Sequence, residues 1–147
     1  MLSRLKDVHF ALLMLRVGLG SMMLTHGIPK LLRGPELWPE LGSAVLHVGI
    51  SGGHTVFGAA AVLAETVGPV LVILGFKTRL AALSIVVTML VATALHLGQG
   101  DSWSQVSHPI ETGIAFFALV IAGAGRFSID QDQSHKKRAP KQRVPFD

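Results

Sequence analysis

A chain of 147 residues allows one domain, and with 50% hydrophobic but only 15% charged residues it falls well below the roughly 25% charge of soluble globular proteins. The absence of cysteine excludes a dithiol or disulfide active site, an iron–sulfur cluster on the chain's own thiolates, and covalently attached c-type haem. The net charge of +4 does not point to nucleic acid, because the basic residues flank apolar blocks and frame no recognition element.

The apolar residues fall in long blocks, which predicts an all-α integral membrane four-helix bundle over residues 1–130. The first span is expected from about Val8 to Leu32. It follows Arg4 and Lys6, runs too long for a signal peptide, and ends without a clean small-residue cleavage site. A long connector, Arg33 to His54, is bounded by Gly34-Pro35 and Ser51-Gly52-Gly53. Within it Trp38, Leu41, Val45 and Val48 recur at helical spacing, which predicts a short interfacial helix between spans one and two. The second span is expected from about Val56 to Phe76, the third from about Leu80 to Leu97, and the fourth from about Pro109 to Ala124, with Pro109 in its first turn. Gly75-Phe76-Lys77-Thr78-Arg79 makes a tight basic turn between spans two and three. Residues 131–147 (QDQSHKKRAPKQRVPFD) are polar, Pro-broken and basic, and are expected to be a disordered tail.

Ten of the thirteen Lys and Arg residues lie at the N-terminus, in the Lys77–Arg79 turn, or from Arg126 onward. The positive-inside rule then places both termini in the cytoplasm.

Several ionisable residues interrupt the spans: Arg16, His26, Glu65, His96 and Glu111. A charge in hydrocarbon costs roughly 2.5–3.5 kcal/mol on insertion scales, so such residues usually face a protein interior and serve a site. Counting about 1.5 Å per residue puts Arg16 and Glu65 near the midplane and His26, His96 and Glu111 about 9–11 Å to the outer side. Two layers are expected: an Arg16–Glu65 level and, above it, a His26/His96/Glu111 level capped by Lys30. Arg16 shares a stripe with Gly20, Met23 and Gly27, Glu65 with Gly58, Ala61 and Gly68, and Glu111 with Ala115, Ala118 and Ala122. Small residues mark faces where membrane helices approach closely. Pro69 cannot donate to the carbonyl of Glu65, which should leave a polar notch at mid-membrane. Duller readings stand beside these: Arg16–Glu65 as a purely structural ion pair, and the histidines as interfacial residues. His26 with His96 as ligands of a b-type haem, or with Glu111 as a metal site, is a further alternative.

The segments LRVGLGSMMLTHGIPKLLRG, FGAAAVLAETVGPVLVILGFKTRLAAL, TMLVATALHLGQGD and HPIETGIAFFALVIAGAGRFSID, from about Leu15 to Asp130, resemble the DoxX family of four-span bacterial membrane proteins. The resemblance implies a bacterial inner-membrane location and a relation to DoxD-type subunits of thiosulfate:quinone oxidoreductase, which act with a companion subunit.

Two functions from different classes follow. In the first, the chain is a membrane subunit of an oxidoreductase system that binds a quinone near the outer face. His26, His96 and Glu111 carry the proton chemistry, Arg16, Lys30 and Glu65 bind or orient the ligand, and a partner subunit supplies electrons. In the second, it is a non-catalytic anchor or assembly subunit of a redox or stress-response complex. A homo-oligomer is open in either case.

Overall fold

The computed structural model describes residues 2–131, and all their regular elements are helical. The α-helices are α1 (Leu2–Leu32), α2 (Trp38–Gly42), α3 (His54–Leu74), α4 (Thr78–Gln99) and α5 (Trp103–Ala122), with a 3-10 turn, Pro35–Leu37, leading into α2. Helices α1, α3, α4 and α5 are long and apolar enough to cross a membrane, so the chain is an all-α, four-span membrane helix bundle. From residue 132 onward the expected tail lies outside the described residues.

The expected spans match these helices within a few residues, except that α1 and α5 each begin six residues earlier than expected, α5 at Trp103. That helix begins six residues before Pro109 because Ser102 caps it: Gln105 Oε1 accepts from the Ser102 N–H at 3.2 Å and from Ser102 Oγ at 2.8 Å. Closing the first turn on itself in this way satisfies donors that would otherwise be orphaned at the helix start. Pro109 therefore lies inside the helix, not in its first turn, and is buried.

The short helix expected in the connector is α2. From Ser43 to Val48 the chain continues as a 3-10 helix. This segment folds onto α3 and α4, burying Ala44 and Val45.

The helices pack in the order α1–α3–α4–α5, and α1 and α5 touch only sparsely. Met23, Val72, Ile85, Met89, Phe116 and Leu119 form the shared core. An open seam between α1 and α5 follows from this order.

Candidate functional site

Polar side chains gather at two levels of the bundle, one near each end. The first lies at the turn between α3 and α4. Arg16, fully buried, donates from Nη1 to the carbonyls of Val72 and Ile73, each at 3.4 Å, and from Nη2 to the carbonyl of Phe127. The last carbonyls of a helix have no partners within it and carry partial negative charge, so a cation is favoured there. The segment after α5 folds across the same turn. Asp130 accepts the Lys77 N–H at 2.8 Å and the Thr78 N–H at 3.0 Å, and its own N–H donates to the carbonyl of Gly75 at 2.9 Å. Asp130 thus caps α4 from far along the chain and sets a negative charge against Arg16.

The expected Arg16–Glu65 pair does not form. Glu65 Oε2 instead meets Lys30 Nζ at 2.5 Å; the carboxylate side chain is 4% exposed and the lysine 35%. The notch expected at Pro69 is also not open: Gly27 of α1 packs directly on the Glu65 carbonyl, so closely that a Cβ at Gly27 would collide with it. With no N–H at Pro69 to occupy that oxygen, the backbone of α1 occupies it instead.

The second level lies towards the connector end. A cavity of about 410 Å³ is lined by His26, Lys30, Glu65, His96 and His108. His26 and His108 face each other across the seam with ring centroids 5.3 Å apart, tilted by 58°. His96 Nδ1 lies 2.6 Å from Asp101 Oδ2. An ionised carboxylate can only accept, so this bond puts the proton on Nδ1 and leaves Nε2 of a neutral imidazole as an acceptor. The geometry comes from the end of α4. Gly100 is left-handed at φ 71°, and the Asp101 N–H returns to the His96 carbonyl at 3.1 Å. That reversal carries the Asp101 side chain back to the histidine.

A second cavity, of about 480 Å³, runs between α3 and α4 under Ala44 and Val45. Its wall is apolar, with Phe57 among aliphatic side chains, apart from a few polar groups, and it shares Lys30, Glu65 and Ala92 with the imidazole-lined cavity. The ion pair is therefore a partition with histidines on one side and an apolar groove on the other.

Of the expected site residues, His26, Lys30, Glu65 and His96 come together here. Arg16 lies at the opposite end. Glu111 is exposed on α5 and does not line this cavity, because its row with Ala118 and Ala122 faces away from the core. Among the described residues no group of three or more His, Asp and Glu side chains could hold a metal ion, so the His26/His96/Glu111 metal alternative has no geometric basis. Asp101 and His108 were not among the expected site residues. The signal for Asp101 was a helix-ending glycine followed by an acid; the signal for His108 was its position one turn before Glu111.

The DoxX family model matches residues 11–98. The chain belongs to the DoxX family. The DoxX match runs from α1 into the end of α4 and so contains Arg16, His26, Lys30, Glu65 and His96, while Asp101, His108, Glu111 and Asp130 lie beyond it. No curated protein and no solved structure matches the chain.

Proposed function

We propose that this DoxX-family chain is the membrane subunit of an oxidoreductase system and binds a quinone at the Lys30–Glu65 partition. The observation that carries this reading is the shared wall between a histidine-lined cavity and an apolar groove. A quinone has a polar, proton-exchanging head and a long apolar tail, and it needs both environments side by side. Lys30 and the imidazoles of His26 and His108 would donate to the head-group oxygens. His96, held by Asp101, would accept or return a proton through Nε2; histidine suits this because its protonation changes near working pH. The groove under Ala44 and Val45 would take the tail. Electrons would arrive from a partner subunit or a small reductant. The distribution of Lys and Arg supports a pocket near the outer face of a bacterial inner membrane, with the termini in the cytoplasm.

The test is binding of a short-tailed ubiquinone or menaquinone analogue to the full chain in lipid nanodiscs. His96→Ala and His108→Ala should each weaken it about tenfold, the worth of one good hydrogen bond to a charged or polarised group. Glu111→Gln should leave it unchanged. Equal binding by wild type and both histidine variants would overturn the site.

One observation favours the assembly-subunit reading as an addition. Glu111 is exposed about 12 Å along a membrane-spanning helix, where lipid contact is costly. A partner protein on that face of α5 would remove the cost, and co-purification of such a partner that is lost in Glu111→Leu would support it.

A further inference from the structure

A third cavity, of about 550 Å³, lies at the other end of the bundle, between the start of α1, the α3–α4 turn and the segment that follows α5. It shares no residue with the imidazole-lined cavity and only Leu80 with the apolar groove. Two polar atoms that border it are buried without a partner, Thr78 Oγ1 and His9 Nδ1. Thr78 is fully buried, and a buried hydroxyl without a hydrogen bond costs free energy that the polar atom of a ligand would recover.

The floor is the stretch Gly123-Ala124-Gly125. Both glycines have left-handed backbones, φ 77° and φ 76°. A Cβ on Gly123 would lie 3.3 Å from Arg79 Nε, and one on Gly125 would lie 3.5 Å from His9 Nδ1. Bare backbone thus leaves space directly beneath a guanidinium and an imidazole.

The charges favour an anion. Lys77 and Arg79 line the cavity, with Asp130 as the opposing acid. Asp130 is already engaged, one oxygen on each of the Lys77 and Thr78 backbone N–H groups. The Arg79 guanidinium has placed Nη2 on the carbonyl of Ile121 at 3.3 Å, which holds its plane at the cavity edge with further donors to offer. The Lys77 ammonium stands 5.8 Å from the centroid of the Phe76 ring. Leu80, Ala122 and Ala124 continue the wall towards the apolar part of the bundle, so an occupant can be polar at one end and greasy at the other.

We propose that this cavity binds the phosphodiester head group of an anionic phospholipid, with Arg79, Lys77, His9 and the Thr78 hydroxyl as its donors. Guanidinium, ammonium and hydroxyl groups around a glycine floor are the groups that phosphate oxygens seek. The apolar wall distinguishes a lipid from a free phosphate.

The experiment titrates the delipidated full chain with phosphatidylglycerol, phosphatidylcholine or inorganic phosphate and reads bound ligand by native mass spectrometry. Phosphatidylglycerol should be retained in preference to phosphatidylcholine, and added salt should weaken it. Arg79→Gln and Lys77→Gly should each reduce its retention roughly fivefold, the contribution of one basic side chain near an anionic lipid. Lys77→Gly keeps the test clear of folding defects: Lys77 is left-handed at φ 47°, a conformation glycine adopts without strain. Equal retention of the two lipids, retention unchanged in both variants, or saturation by inorganic phosphate alone would overturn the assignment.

Discussion

Lys30 of α1 and Glu65 of α3 meet at 2.5 Å, and the pair forms the boundary between an imidazole-lined cavity and an apolar groove. The carboxylate is nearly enclosed while the ammonium is about a third exposed. The pair therefore joins two helices and also offers a donor to anything entering from either side.

Removing one member should cost more than removing both. Glu65→Gln leaves a lysine without its counter-ion and should lower stability by about 2 kcal/mol, less than the 3–5 kcal/mol of fully buried pairs because Lys30 retains some solvent access. The double variant Glu65→Leu with Lys30→Met should recover much of that loss. Unfolding midpoints in a mild detergent measure both.

Gly27 and Gly18 lie on the same helix and should respond in opposite ways to a single methyl group. A Cβ at Gly27 collides with the backbone of Glu65, whereas one at Gly18 meets nothing within 4 Å. Gly27→Ala should destabilise by about 2 kcal/mol through forced separation of α1 and α3. Gly18→Ala should be neutral or gain up to about 1 kcal/mol from higher helix propensity. Thermal melts of the two variants side by side check this.

Arg16 holds three backbone carbonyls from two separate segments. Arg16→Met should cost on the order of 3 kcal/mol or more, because those acceptors lose their partners in a buried place. The segment after α5 should detach first, which faster tryptic cleavage at Arg126 would report.

Asp130→Ala removes the cap of α4, taking the acceptor from two N–H groups at once. A loss of about 1–2 kcal/mol is expected, as for other helix caps. Hydrogen exchange at Lys77 and Thr78 should quicken, while exchange near His96 stays the same.

Helical periodicity was enough to find the buried faces of α1 and α3. Arg16, Gly20, Met23 and Gly27 form the inner stripe of α1, and Gly58, Glu65 and Gly68 are buried on α3, as their spacing required. Thr25, on the opposite face, bonds back to the Met22 carbonyl at 2.7 Å. Pairing was not legible in the same way, because counting residues fixes the depth of a Cα and not of a charged tip. Side chains on a helix lean towards its N-terminus. Helices α1 and α3 run in opposite directions, so Lys30 leans away from the connector end while Glu65 leans towards it, and they meet. Arg16 leans towards the α3–α4 turn and leaves Glu65 behind. Glu111 misled for a different reason. A row of alanines at its spacing fits a helix–helix contact, yet in a single chain that row finds no neighbour because α1 and α5 stay apart.

For the proposed quinone, the sparse contact between α1 and α5 would set the route of arrival. His26 and His108 are both exposed along that gap, which faces sideways into the surrounding lipid. A ligand entering there partitions into the bilayer first, and its occupancy follows its mole fraction among the lipids and not its concentration in water. Diluting the protein's nanodiscs with buffer should then leave occupancy almost untouched, whereas enlarging the lipid pool at fixed ligand should strip it.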